Sequence, residues 1–176
     1  AVYYNPGKVF SSDLKASRIK IPRNDGSGLA DYLLGTETIN TIAIDGANRK
    51  WIGTMSSGAY LMSEDGRKEI IHFNTANSPL LSDNIVKISV NPVTGDVWFG
   101  TSEGIVAWRG DATAGSVDYT GMYVFPNPVR EDFEGVVTVT GLIENSSVKI
   151  TDISGNLVYE TTSTGGQATW DLRNYR

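Results

Sequence analysis

The 176-residue sequence contains no cysteine, and this absence removes several kinds of chemistry at once. Without thiols the chain has no disulfide, no thiol nucleophile and no thiolate metal site. It also has a single histidine, His72, which leaves no multi-histidine metal site and no second histidine for a catalytic triad. We therefore expect no catalytic residue, no metal and no cofactor, and we interpret His72, between Ile71 and Phe73, as structural or surface-exposed.

Long apolar runs and basic clusters are also missing. No stretch approaches the roughly 18 apolar residues that a membrane-spanning helix needs, so no transmembrane segment is expected. The 15 Lys and Arg against 20 Asp and Glu give a net charge of −5 without a basic run, which argues against nucleic acid as a partner. Acidic pairs such as Glu64-Asp65 and Glu131-Asp132 lack a spacing typical of a glycosidase, and we interpret them as solvated surface.

The first residues lack the features of an exported or initiating N-terminus. Ala1–Gly7 contains no initiator methionine, no charged n-region and no apolar h-region, so it is not a signal peptide. At the other end, the sequence stops soon after a strand-like run that contains Trp170. We expect both ends to be cut from a longer polypeptide, with any export signal lost upstream.

Glycine and turn-forming pairs, by contrast, are plentiful. The chain has 19 Gly, and pairs such as Asp45-Gly46, Asp65-Gly66 and Thr94-Gly95 separate short apolar or alternating runs. This pattern predicts an all-β protein. The one helical possibility, Gly28 to Leu34, is too short to carry a fold.

One short motif occurs twice. Trp51-Ile52-Gly53-Thr54, followed by Gly58, returns as Trp98-Phe99-Gly100-Thr101, followed by Gly104. The tryptophans are 47 residues apart and the last glycines 46. Each copy predicts a strand, the Trp strand, a Gly-Thr turn and a third strand, and the first copy adds a fourth strand at 69–73. Such a unit is typical of a β-propeller blade, which must stack on neighbours.

The repeat residues therefore have a predicted structural role. We interpret Trp51 and Trp98 as core residues that cover one blade against the next. The remaining repeat positions serve the close-packed strand ends and turns: Gly53, Thr54, Gly58, Gly100, Thr101 and Gly104. Trp108 differs, because Met62 stands at its place in the first copy, and it is a candidate partner or ligand contact together with Tyr123 and Trp170.

The predicted fold is a partial β-propeller followed by a small antiparallel Ig-like β-sandwich. The propeller part spans 1–110, with about two full blades near 39–84 and 85–110 and the tail of a preceding blade before them. In that tail, Val2–Tyr4 and Lys8–Phe10 are the expected third and fourth strands. A polar linker covers 111–121 and the sandwich covers 122–176. Unstacked faces and open edges predict self-association.

Both parts resemble known families. The repeats resemble the two-component-regulator propeller repeat of Bacteroidetes at Trp51–Thr54, Phe73, Asn77–Leu80, Ser82 and Ile85. The remainder resembles the C-terminal domain of the type IX (Por) secretion system at Phe125–Val129, Val148–Asp152, Gly155–Val158, Gly165–Gly166 and Ala168–Trp170.

Sensor-type blades followed directly by this tail resemble the propeller-bearing surface component of that secretion system. The resemblance implies a non-catalytic docking scaffold at the cell surface, associated with the outer membrane. Its implied partners are other secretion-system proteins and lipopolysaccharide or another surface glycan. Two alternatives remain open. One is the periplasmic ligand-sensing propeller of a hybrid two-component regulator. The other is a secreted protein that uses the C-terminal domain only as a sorting tag.

Overall fold

The computed structural model describes residues 2–3, 7, 10–12, 17–22 and 26–173, and this part of the chain confirms the all-β prediction. It contains no α-helix. The helical possibility at Gly28–Leu34 is wrong, because a short strand, Ala30–Tyr32, lies there and a turn follows it. Among the described residues there is no helix with the length and apolar character that a membrane span requires.

The strands group into sheets of two to four members. The first eight are β1 (Val2–Tyr3), β2 (Ser17–Arg18), β3 (Lys20–Pro22), β4 (Ala30–Tyr32), β5 (Ile39–Ile44), β6 (Lys50–Thr54), β7 (Ala59–Met62) and β8 (Glu69–Phe73). The next eight are β9 (Ile85–Val90), β10 (Asp96–Thr101), β11 (Gly104–Arg109), β12 (Tyr123–Phe125), β13 (Val137–Thr140), β14 (Ser147–Thr151), β15 (Leu157–Thr162) and β16 (Gln167–Trp170). The sheets run β1-β2, β3-β4, β5-β6-β7-β8, β9-β10-β11, β12-β13-β16 and β14-β15.

The first repeat forms the predicted four-stranded blade, in the order β5-β6-β7-β8. In its antiparallel register Trp51 lies opposite Leu61, and Leu61 lies opposite Ile71. Trp51 and Leu61 are fully buried. Because directly opposed residues on one face of a sheet contact each other, this row forms the centre of the blade.

The second repeat forms the three-stranded sheet β9-β10-β11, and its Gly-Thr turn reproduces the first one. The Thr54 hydroxyl donates to the carbonyl of Gly58 at 2.9 Å and accepts an N–H within the turn at 2.9 Å. The Thr101 hydroxyl likewise donates to the carbonyl of Gly104 at 2.9 Å and accepts an N–H at 3.1 Å. Threonine thus closes both turns through its side chain, which explains why the repeat contains it.

Aromatic contacts hold the two repeats together. Trp51 stacks on Phe73 with ring centroids 6.0 Å apart and meets Phe99 at 5.3 Å in an edge-on geometry. Gly53 leaves room for the second repeat, since a Cβ at this position would lie 2.6 Å from Ile85 Cγ2. The Asn40 amide adds a hydrogen bond to the carbonyl of Ile85 at 3.0 Å.

The prediction that Trp98 is a core residue is wrong. Trp51 is 0% exposed, whereas Trp98 is 49% exposed. Side chains alternate between the two faces of a strand, and Phe99 takes the face that packs on the first repeat. Trp98 therefore points to the opposite face, where no described strand covers it. Gly100 lies on the same face as Trp98 and is also uncrowded. The atom nearest to a Cβ placed on Gly100 would be 3.6 Å away.

The segment before the first repeat pairs differently from the prediction. β1 pairs with β2, so that Val2 lies opposite Arg18. Phe10 lies in a turn and is fully exposed, while Lys8 and Val9 lie outside the described residues. The hairpin β3-β4 leads to Leu33, which forms a small buried cluster with Ile52 and Met62.

Close contacts divide the chain into two compact units. Unit 1 comprises 1–43, 49–89 and 98–106, and unit 2 comprises 44–48, 90–97 and 107–176. The predicted limits of the propeller, linker and sandwich remain a prediction. Within unit 2, the sheet β12-β13-β16 and the hairpin β14-β15 form the sandwich-like part, with Val137, Leu142 and Ala168 buried.

Backbone contacts tie the start of the predicted linker into unit 2. The carbonyl of Thr113 accepts the N–H of Gly166 at 2.9 Å, and Thr113 forms a parallel bridge with Gly165. The N–H of Ala114 donates to the carbonyl of Pro92 at 2.7 Å. A Cβ on Gly46 or on Gly165 would lie 2.0 Å from the Thr113 oxygen. Residues 110–116 are therefore part of a packed seam, and glycine is required on both sides of it.

A matched pair of glycines tests the packing between the repeats. We expect Gly53→Ala to lower the free energy of unfolding by about 1–3 kcal/mol, because the new methyl group overlaps Ile85. Gly100→Ala adds the same group where space is open, so we expect the free energy of unfolding to change by no more than about 1 kcal/mol. Urea unfolding followed by circular dichroism measures both variants. Equal losses would contradict the packing described.

A second pair tests the seam. Gly165→Ala combines a positive φ of 62° with the overlap on Thr113, so we expect a loss of more than about 2 kcal/mol. Gly155→Ala has a positive φ of 86° but nothing within 4 Å of its Cβ, so it suffers only the backbone cost of about 1–2 kcal/mol. The same unfolding measurement compares them, and a larger loss for Gly155→Ala would refute the seam.

Candidate partner and ligand surfaces

A cleft of about 1150 Å³ opens in unit 1. Its floor is apolar and includes three buried side chains. Leu33 comes from the turn after β4, Ile52 from β6 and Met62 from β7. Ile42, on the inner strand β5, also lines the cleft and is exposed. Because Ile52 follows Trp51, this floor is the face of the first blade opposite the one that the second repeat covers.

Cationic side chains line the rim of this cleft. Arg18 and Lys20 come from β2 and β3, Lys50 from β6, and Arg67 from the turn after β7. The Arg18 guanidinium lies 5.1 Å from the centre of the Tyr32 ring, a cation–π contact. The Lys50 ammonium donates to the backbone carbonyl of Glu64. The cleft therefore combines cations at its rim with an apolar floor, and these contacts hold Arg18 and Lys50 in place.

Two carboxylates, Glu64 and Asp65, share the rim with the four cations. A hydrogen bond from the Ser63 hydroxyl at 2.6 Å is the main cause that lowers the pKa of Asp65, and the backbone N–H of Arg67, at 3.0 Å, adds to it. Asp65 is thus charged at neutral pH, and its turn holds it in place. Among the described residues that line the cleft, four cations against two anions leave an excess of positive charge, in a chain whose net charge is −5.

His72 has a structural environment. Its ring stacks on Tyr60 with centroids 3.9 Å apart, and its Nε2 donates to the carbonyl of Ser57 at 2.7 Å. Burial, and then the charges of Glu37 and Glu69, raise the pKa of Tyr60. In the part of the chain that the structure describes, no three His, Cys, Asp or Glu side chains are grouped so that they could hold a metal ion.

The three aromatic residues predicted as contacts lie on three different strands. Trp108, on β11, is partly exposed beside Gly110. Tyr123, on β12, is exposed and lies 5.8 Å from the Phe125 ring. Trp170, on β16, is half-buried, and stacks on Tyr159 at 6.1 Å.

The three aromatic residues differ in how accessible they are to a partner. Trp170 also donates its indole N–H to the carbonyl of Arg173 at 2.9 Å, so its ring and its polar group are both engaged. Tyr123 is the most accessible of the three. The predicted contact role of all three stays a prediction.

Sequence reasoning missed the cationic cleft. A signal was present, since Arg18-Ile19-Lys20-Ile21 alternates cations with apolar residues, which is typical of a strand with one charged face. Lys50 and Arg67 could not be added to it from the sequence, because only the folding of β6 and the turn after β7 brings them to the same cleft.

Comparison with known proteins gives two matches. Residues 123–176 match the family described as the secretion system C-terminal sorting domain. The second match is the solved structure of PorZ, an essential bacterial surface component of the type-IX secretion system of human oral-microbiomic Porphyromonas gingivalis. It matches 98% of this chain at 36% sequence identity, with a TM-score of 0.60. No curated protein matches the chain.

The PorZ match confirms the propeller-like and sandwich parts of the predicted fold, and the sorting-domain match falls on the segment in which the sequence indicated a secretion tail. The chain spans 23% of the length of the PorZ chain. At this identity the likeness extends beyond the fold. The chain is therefore similar to PorZ along nearly its whole length, and residues 123–176 match the secretion system C-terminal sorting domain.

Proposed function

We propose that the chain is a non-catalytic docking scaffold of a type IX secretion system, on the outer face of the outer membrane. The likeness to PorZ along nearly the whole chain carries this proposal. The proposed partners are other proteins of the secretion system. A scaffold needs surfaces that bind, and the chain offers a cationic cleft in unit 1 and an exposed aromatic strand in unit 2.

The absence of catalysis is part of this proposal. The single histidine is held by Tyr60 and Ser57, and Asp65 at the cleft rim is fixed in its charged form by its own turn. A general acid or base needs a pKa near the working pH, and a carboxyl whose pKa is lowered does not meet this requirement. These observations favour binding over reaction at the cleft.

Lipopolysaccharide, or another anionic surface glycan, is the ligand class that we propose for the cleft. Phosphate and carboxylate groups form strong charge-assisted hydrogen bonds with arginine and lysine, which Arg18, Lys20 and Arg67 can donate. Acyl chains fit an apolar floor such as that formed by Ile52 and Met62. The combination of both features in one cleft supports this ligand class.

The two alternative functions are less well supported. A sensor propeller of a two-component regulator does not account for the sorting domain at 123–176. A sorting tag needs no packed connection to what precedes it, whereas Thr113 and Ala114 are hydrogen-bonded within unit 2. Self-association through the exposed Trp98 face is compatible with the scaffold role and remains part of the proposal.

Charge reversal at the cleft tests the ligand class. We expect the double variant Lys20→Glu and Arg67→Glu to weaken binding to lipopolysaccharide at least tenfold, because two donors become repulsive carboxylates. Arg130→Glu with Lys149→Glu makes the same charge change in unit 2 and serves as the control. Binding to immobilised lipopolysaccharide at physiological salt is the measurement. Equal weakening in both double variants would reject the cleft.

Gene deletion tests the scaffold role. In a bacterium that carries this gene and a type IX system, we expect deletion to leave cargo proteins unprocessed or released into the medium, because their docking surface is lost. Reintroducing the intact gene restores attachment. Cargo is quantified on washed cells and in the medium by immunoblotting. Normal attachment in the deletion strain would exclude the proposed role.

A further inference from the structure

The loop between β12 and β13 contains the densest acidic segment of the chain. Glu131, Asp132 and Glu134 lie within four residues, and no other stretch of that length holds as many carboxylates. Three carboxylates against the one guanidinium of Arg130 leave a net charge of −2, and all four side chains are exposed. In the part of the chain that the structure describes, none of the three carboxylates forms a hydrogen bond or an ion pair. The segment therefore presents net negative charge to solvent.

The same loop carries exposed apolar side chains and contains a defined turn. Val129 and Val136, on either side of the carboxylates, are 42% and 48% exposed. The Phe133 ring lies against Gly135, where a Cβ would be 2.5 Å from the ring carbon Cζ. The N–H of Phe133 donates to the carbonyl of Arg130 at 3.1 Å. A loop that already has its shape loses less entropy when it binds.

The cleft in unit 1 has the complementary composition. Its described lining holds four cations against two anions around an apolar floor, and Ile42 is exposed beside that floor. Pockets for small ligands measure about 300–1,000 Å³, so the cleft, at about 1150 Å³, is large enough to admit a short polypeptide loop. The described lining residues belong to unit 1, whereas the acidic loop belongs to unit 2. Every copy of the chain therefore carries both a cationic cleft and a loop of opposite charge.

We propose that the cleft of one copy of the chain binds the acidic loop, residues 129–136, of a second copy. Carboxylates form strong charge-assisted hydrogen bonds with arginine and lysine, which the rim supplies at Arg18, Lys20 and Arg67. The exposed valines of the loop match the apolar floor. Opposite charge on the two surfaces also speeds their encounter and orients it.

This contact is heterologous, because it joins two different surfaces. Each bound copy leaves its own cleft open, so a third copy can add, and assemblies grow beyond a dimer as the protein concentration rises. A loop of eight residues is far smaller than the roughly 20–30 residues that each partner contributes to a stable interface. The association is therefore weak and reversible, and salt screens it because its charges are exposed.

Neutralising the loop tests this inference. We expect the triple variant Glu131→Gln, Asp132→Asn and Glu134→Gln to raise the dissociation constant for self-association at least tenfold, because the loop loses the charges that pair with the rim. Sedimentation equilibrium of the purified chain at low salt is the measurement. The same measurement at high salt is expected to show the wild-type chain dissociated.

A control triple variant makes the same charge change at exposed carboxylates outside the loop, namely Glu69→Gln, Glu103→Gln and Glu144→Gln. We expect it to self-associate as the wild type does. The inference is overturned if the wild-type chain stays monomeric at low salt, if the loop variant associates like the wild type, or if both triple variants lose association equally.

Exchanging the charges locates the contact. One chain carries Lys20→Glu and Arg67→Glu in its cleft, and another carries Glu131→Lys and Glu134→Lys in its loop. Each has like charge on both surfaces, so we expect neither to self-associate. In a mixture every cleft meets a loop of opposite charge, and we expect association to return to within about threefold of the wild type. A mixture that stays monomeric, although each variant melts like the wild type, would contradict binding of the loop in the cleft.

The inference goes beyond the glycan ligand proposed for the cleft and holds without it. Binding to immobilised lipopolysaccharide is measured at protein dilutions where the copies are apart, and we expect the neutral-loop variant to bind as the wild type does. If the wild type binds no lipopolysaccharide while the loop and charge-exchange variants behave as expected, the proposed ligand fails and this inference stands. If lipopolysaccharide binds but the mixture of charge-exchanged chains does not associate, the reverse holds.

Discussion

The packing of Trp51 against the second repeat is the interaction on which the rest of unit 1 depends. A single four-stranded blade has two apolar faces and can bury neither alone. Trp51 covers one of them by contact with Phe73 and Phe99, and Gly53 brings Ile85 close enough to complete that contact. Once the Trp51 face is occupied, strand alternation directs Ile52 to the opposite face, where it forms the floor of the cleft.

The two candidate surfaces differ in chemistry because they arise differently. The cleft joins an apolar floor to cations from β2, β3, β6 and a turn, so it suits an anionic ligand with an apolar part. Strand β12 carries no charge and exposes the side chains of Tyr123, Val124 and Phe125, so this surface is apolar and aromatic. They lie in separate compact units.

Glycine has a specific use in the seam of unit 2. Gly46 and Gly165 both approach the oxygen of Thr113 at a distance that no Cβ allows. The seam also contains backbone hydrogen bonds to Ala114 and Gly166, so the start of the predicted linker is packed and not a free tether. The seam therefore connects residues 123–176 to the turns at 44–48 and 90–97 of the same unit through packed backbone contacts.

Much of the fold was predictable because it is encoded locally. Turn pairs and alternation identified most strands, and the spacing of two Trp-x-Gly-Thr motifs identified the repeat and the burial of Trp51. The exposure of Trp98, the pairing of β1 with β2 and the cationic cleft were not predictable. A sequence pattern determines which residues share a face, since alternation is a local property of the strand. Only the tertiary structure decides which face is covered, because that depends on contacts between residues far apart in the chain.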